Sequence, residues 1–413
     1  MRQPVHGGNL VWAAALAGCS PEAIVDFSAS ISPLGPPNSA IAAIYSQVGN
    51  LKHYPDPAYS DLRLALGRFH QLPPEWILPG NGSAELLTLA GRELANLTAT
   101  TLITPAFSDY YRTLTAYNAK ILEFPLSLGS GEWGVGSGEW GEEERVQGAG
   151  GRGEEEWLLS NQNFKIISNS PLLPAPCSPA SSGVGRNSSS SSSSALSPSV
   201  SSGLLLNNPH NPTGKLFSRE AILPYLEQYA LVVVDEAFMD FVPPDAEQSL
   251  IGVVQEYPNL VVLRSLTKFY SLPGLRLGYA IAHPERLSLW QSWRDPWPVN
   301  TLAAAAAVAA IQDQEFQELT WKWLTPTRNQ LFQGLASIPG LQPLEGAANF
   351  LLVKSQPSVL QLQKKLLQHH QILIRDCLSF KELGDRFFRV AVRSESDNQR
   401  LLTALSSTLI NDE

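Results

Sequence analysis

One lysine, Lys268, stands in the run "SLTKFYSLPGLRLGY" (265–279) with almost no charged neighbours, and Arg276 follows eight positions later. A solvated lysine usually has charged company. Two readings are open: the alkyl stem covers an apolar surface, or the amine does chemistry in a partly dry site. The second is chemically reasonable, because burial lowers a lysine pKa towards neutrality. Two motifs precede it, "NNPHNPTG" (207–214) and "VVVDEAF" (232–238). Each alone is ordinary, since Asn-Pro repeats form turns and an Asp-Glu pair after a strand caps helices. In this order, an amide, a carboxylate and an amine fall beside the ends of three apolar runs. A fourth stretch, "GNGSAE" (80–85), reads as a glycine turn opening a helix. Free N–H groups and the helix dipole favour an anion there.

The elements that must hold these residues are legible as a pattern. "WILPGN", "TTLITP", "KILEFPL", "GLLLNNP", "LVVVDEAF", "LVVLRS" and "RLGYAIA" read as short strands between residues 76 and 282, with helical patterns among them. Short β-branched runs alternating with helices predict an α/β fold with a mostly parallel sheet covered on both faces. Ligands of such sheets sit beyond the carboxyl ends of the strands. After residue 284 a helical stretch runs from about 299 to 337, with Pro326 expected to break it. "NFLLVK", "QILIRD" and "FFRVAVR" then read as strands, with helices at about 357–369 and 395–410. The expected organisation is a large domain over 46–290 and a smaller α+β domain over 291–413, with residues 1–45 packing on the smaller one. Residues 127–202 stand apart. They hold "GSGEWG" twice, two "GEEE" clusters and seven consecutive serines, Ser188 to Ser194. Such a composition cannot offset its ordering entropy, so a disordered surface insertion is expected, with "EEEWLLSNQNFKIIS" (154–168) as a possible ordered island.

Composition excludes some classes. The 413-residue chain is 44% hydrophobic and 16% charged, with a net charge of −9, which argues against nucleic acid as a partner. Cys19, Cys177 and Cys377 are far apart, with no metal-ligand spacing, and read as thiols of a reducing compartment. "MRQPVHGGNLVW" lacks the apolar stretch of a secretory signal, and "TLAAAAAVAAI" (301–311) is too short to span a bilayer. The expectation is a cytoplasmic protein without a membrane anchor.

Taken together, these motifs resemble fold-type I pyridoxal-phosphate enzymes of the aminotransferase class I/II group, over the whole chain except 127–202. The resemblance implies roles residue by residue. Lys268 would supply the amine that condenses with the cofactor aldehyde, and Asp235 would keep the ring nitrogen protonated. Asn211 would bond the ring hydroxyl, and Phe107 in "TPAFSDYY" would stack on the ring; Phe107 reads equally as core. Ser83, Ala84, Ser265 and Arg276 would hold the cofactor phosphate. Tyr54 in "HYPDP" resembles a tyrosine that reaches that phosphate from a partner subunit, which implies a homodimer with shared sites.

Within the group the chain resembles most the threonine-phosphate decarboxylase family of cobalamin biosynthesis. The resemblance rests on "HGGNLVWAA", "DFSASISPLGPP", "YPDPAYSDLRLAL", "DEAFMDF" and "LIRDC…FFRVAVR". It implies a phosphorylated amino acid as substrate. Arg389 would bind its carboxylate, and Arg375 with His6 and Gly7 its phosphate; Arg375 also reads as half of a surface ion pair. Ser30 and Ser32 stand where that family has asparagines, and serine donates over a shorter reach. The sibling family, histidinol-phosphate aminotransferase, shares the cofactor residues and the late arginines. Phe238 leans away from it, since many transaminases carry a tyrosine three positions after the aspartate. A non-catalytic ligand-binding regulator on the same fold is the remaining alternative, disfavoured by the complete set of Lys268, Asp235, Asn211 and Arg276.

Overall fold

A computed structural model describes residues 7–126 and 201–410. The expectations for His6 and for nearly all of the 127–202 insertion, with its 154–168 island, lie outside the described residues. Strand-forming runs appear where the alternation predicts them. Seven strands form one sheet in the order Ile77–Asn81, Leu277–Ala282, Leu260–Ser265, Leu231–Asp235, Ser202–Asn207, Ala99–Thr104 and Ile121–Pro125. Leu277–Ala282 runs antiparallel to both neighbours, and the five strands beyond it run parallel to one another. The central strands are apolar on both faces, as a sheet covered on two sides requires.

Register puts the chemistry on one edge. Asn207 pairs with Asp235 and Asp235 with Leu263, so three carboxyl ends stand level. Strand alternation then separates the acidic doublet. Asp235 faces the cavity, whereas Glu236 is fully buried and accepts from Arg264 Nε at 3.0 Å and from the Leu250 N–H at 2.9 Å. Buried Arg264 also pairs with Asp240 and with Glu247. This network clamps the segment after Asp235 to the strand that leads to Ser265 and Lys268.

A second, antiparallel sheet joins Arg375–Asp376, Phe387–Ala391, Phe350–Ser355 and Leu341–Pro343 in that order. The N-terminal Val25–Asp26 pairs with Ile372–Leu373, and Ala13 and Ala14 pack on Leu367 and Leu373. The helical stretch breaks elsewhere than expected. Helices Thr301–Gln312 and Gln314–Ala336 divide at Asp313, and Pro326 lies inside the second one. The Asp313 carboxylate accepts from the Phe316 N–H at 3.0 Å and so caps the new helix. Around Pro326, buried Leu324, Thr327 and Leu331 hold the helix in line despite one missing N–H. Among the described residues no helix is long and apolar enough to cross a membrane, and no group of His, Cys, Asp and Glu gathers as metal ligands.

Candidate active site

A cavity of about 260 Å³ opens at the carboxyl ends of the parallel strands, between the two sheets. At its floor are Asp235, Asn211 and Lys268. Asp235 accepts from the Tyr110 hydroxyl at 2.8 Å and from the Ala237 N–H at 3.0 Å. Burial raises its pKa, while Tyr110, Ala237 and the Lys268 charge pull it back. Burial, and then the nearby Arg389 and Arg276, lower Lys268 to about 8; Asp235 acts against them. The amine is therefore poised between its protonated and nucleophilic forms near neutral pH, the second of the two readings of the lysine.

One wall is built to take an anion. Ser83 and Ala84 form the first turn of helix Gly82–Leu94, whose Leu86, Leu87, Ala90 and Leu94 are buried at helical spacing. The N-cap Asn81 makes no side-chain cap, which leaves N–H groups of that turn for a ligand. Ser265 and Arg276 close the cradle from the other side. Two glycines permit the approach. Gly82 has φ +72°, and a Cβ there would stand 2.5 Å from Arg276 Nη2. A Cβ on Gly278, which pairs with both Gly80 and Ser265, would stand 2.5 Å from the Ser83 nitrogen. Among the described residues Arg276 has no carboxylate partner, and its guanidinium hydrogen-bonds the Pro273 carbonyl at 3.4 Å.

The other wall comes from the second sheet. Arg375 and Arg389 are direct partners on facing strands, and both are buried and line the cavity. Arg375 donates to Ser379 Oγ at 2.7 Å and lies 3.4 Å from the Asp376 carboxylate, so the pair it makes is buried rather than on the surface. Arg389 donates to Asn211 Oδ1 and, at 3.2 Å, to the Ser28 carbonyl, and its guanidinium lies 4.8 Å over the Phe350 ring. Its Nε has no hydrogen-bond partner among the described residues. Burial and then the Arg375 charge bring its pKa down to about 10, an environment that a ligand carboxylate would relieve.

Of the residues expected at the site, Gly7, Ser30, Ser83, Ala84, Phe107, Asn211, Asp235, Ser265, Lys268, Arg276, Arg375 and Arg389 share this cavity. Ser30 presents a buried hydroxyl without a hydrogen-bond partner among the described residues. Ser32 does not line the cavity. Its N–H donates to the Lys268 carbonyl at 3.0 Å and its carbonyl accepts from Ser271 Oγ at 2.7 Å, so it pins the 28–34 loop to the lysine segment. Tyr54 also lies elsewhere, 79% exposed and stacked on Trp297 at 4.5 Å between ring centroids. Phe238 lines the cavity, edge-on to Phe350. The sequence reading missed Tyr110, Ser28 and Phe380, which also line it. Tyr110 carried only a weak signal, its place at the start of the helical run "YYRTLTAYN" just after Phe107. Ser28 carried none beyond its place beside Ser30, because a backbone carbonyl does the work.

The residues present fit pyridoxal phosphate. An uncompensated anion cradle, a lysine near pKa 8 and a carboxylate held by two donors line one cavity. Comparison with known proteins agrees. The family model described as aminotransferase class I and II matches residues 190–405. The chain is 34% identical to the threonine-phosphate decarboxylase of Salmonella typhimurium, over 98% of this chain and 96% of that protein. It is 28% identical to histidinol-phosphate aminotransferase 1 of Mannheimia succiniciproducens, over 94% and 90% of the two chains. Its fold is similar to that of the histidinol-phosphate aminotransferase from Sinorhizobium meliloti in complex with pyridoxal-5'-phosphate, with a TM-score of 0.73 at 19% identity, covering 100% and 98% of the chains. Pyridoxal phosphate is the cofactor of this α/β chain, which belongs to the class I and II aminotransferase family.

Proposed function

We propose that the chain decarboxylates L-threonine O-3-phosphate to (R)-1-amino-2-propanol O-2-phosphate. The pair Arg375 and Arg389, set opposite each other in one cavity, supports a phosphorylated substrate with a second anionic group, and Phe238 in the same cavity carries the choice of decarboxylation. Like charges at facing strand positions repel. A substrate with a carboxylate and a phosphate meets both arginines at once, each through a planar fork suited to two oxygens. The 34% identity to a threonine-phosphate decarboxylase supports the same reading. Phe238 supports it too, since it offers no hydroxyl where many transaminases have one.

Bound pyridoxal phosphate supplies the electron sink for the pair left on Cα as carbon dioxide departs. Ser83, Ala84, Ser265 and Arg276 would hold its phosphate, Asn211 its hydroxyl edge and Asp235 its nitrogen. Arg389, fixed by Asn211, Ser28 and the Phe350 face, orients the substrate carboxylate. Arg375 receives the phosphate. Lys268, with a pKa of about 8, carries a proton near neutral pH and can return it to Cα. In an aminotransferase the same lysine would move the α-proton, so only the residues gripping the substrate separate the two reactions.

The test is an incubation of cofactor-loaded protein with L-threonine O-3-phosphate and no keto acid. Carbon dioxide and aminopropanol phosphate are expected over many turnovers. If none forms, and amino groups pass instead between histidinol phosphate and 2-oxoglutarate, the aminotransferase reading replaces this one.

The proposal includes a homodimer. Exposed Tyr45, Val48, Leu51, Tyr54 and Trp297 leave an apolar surface, and Tyr54 lies away from its own chain's cavity. Light scattering at micromolar concentration is expected to give twice the chain mass; a monomer that turns over at full rate would exclude shared sites.

A further inference from the structure

Among the described residues Asp235 accepts two hydrogen bonds, one of them from a side chain. That side chain is Tyr110, 2% exposed, on the helix Ser108–Ala116 whose N-cap is the cavity residue Phe107. The hydroxyl donates to Asp235 Oδ2 at 2.8 Å. The same ring meets Phe107 edge to face, with centroids 5.9 Å apart. Leu114 and Thr113 of this helix are buried, so Tyr110 sits on a fixed backbone. Burial and the Asp235 charge push its phenol well above the ordinary tyrosine range, so the proton stays on Tyr110 and the carboxylate is the acceptor.

We propose that Tyr110 is a positioning residue that fixes two cavity groups at once, Asp235 through its hydroxyl and Phe107 through its ring edge. A carboxylate on a rotatable side chain can face a ring nitrogen only if its torsions are locked. Here the Ala237 N–H holds one oxygen and Tyr110 the other, which leaves the remaining lone pairs directed at the cavity. The hydroxyl also favours the ionised carboxylate against the burial that opposes it. The inference rests on pyridoxal phosphate as cofactor and is independent of whether the reaction is decarboxylation.

Tyr110→Phe separates the two contacts, because it keeps the ring against Phe107 and removes only the hydroxyl. A hydrogen bond to a charged group is worth enough that cofactor binding should weaken by about 10–100-fold. The measurement is titration of the full chain with pyridoxal phosphate, followed by tryptophan quenching, from pH 5 to 9. The fall in affinity on acidification should begin at a higher pH in the variant, since Asp235 without its donor protonates sooner. In an Asp235→Asn background, Tyr110→Phe should have little further effect. Urea denaturation run in parallel reports any purely structural loss. Unchanged cofactor affinity and pH profile in Tyr110→Phe, even with lowered stability, would overturn the proposal. An equal loss in the Asp235→Asn background would overturn it as well, because the hydroxyl would then act independently of Asp235.

Discussion

Replacement of Lys268 by alanine is expected to lower turnover on the order of 10⁴-fold or more, with the fold and the phosphate cradle intact. No other amine lines the cavity among the described residues, and the lysine is the group able both to bond the cofactor aldehyde and to move a proton at Cα. For the proposed decarboxylation, single-turnover release of carbon dioxide measures the loss. The cofactor-free chain offers a second readout. Lys268 is lowered from 10.5 to about 8, so its acylation by an amine-reactive ester should rise as pH passes through about 8. Asp235 raises the lysine's pKa, so Asp235→Asn should move that midpoint to lower pH and speed acylation at pH 7. A midpoint near 10.5 for peptide 268, read by mass spectrometry, would mean that the amine is solvated and the site is not closed as described.

The second large effect belongs to Arg389. Its removal takes away the planar fork with the unpartnered Nε and leaves Asn211 Oδ1 without its donor. Truncating one member of a buried, hydrogen-bonded charge pair typically costs enough to predict a fall of about 10²–10³-fold in kcat/KM for Arg389→Ala. Binding of 1-amino-2-propanol O-2-phosphate, which lacks the carboxylate, should change far less. That contrast ties Arg389 to the carboxylate. If the variant loses product and substrate affinity equally, Arg389 holds the phosphate and the assignment of the two arginines must be exchanged.

Much of this was legible in the chain. The alternation of apolar runs with helical patterns specified a mostly parallel sheet, because strands buried on both faces must be continuously apolar. The order of Asn211, Asp235 and Lys268 behind three such runs then placed an amide, a carboxylate and an amine at one sheet edge. Helix ends were less legible. Pro326 looked like a breaker, yet a capping aspartate at position 313 set the boundary, since a side-chain acceptor that satisfies an orphan N–H terminates a helix more effectively than one lost bond within a packed one.

Roles carried by geometry were hidden. Ser32 was expected at the substrate because it stands where the resembled family has an asparagine, but a loop residue's direction is set by the fold, and the Ser32 N–H binds the backbone carbonyl of Lys268. Ser28 acts through a carbonyl, which every residue type possesses. Tyr110 meets Asp235 across 125 positions, and no local pattern encodes a partner that distant. Residue chemistry and periodicity, both local properties, therefore determined the sheet and the charged groups, and the motifs that hold those groups carried the resemblance to a reaction family. Tertiary packing alone decided which of those groups face one another, how far burial shifts their protons and which uncharged neighbours hold them in place, because each of these depends on distances between segments that the chain order leaves free.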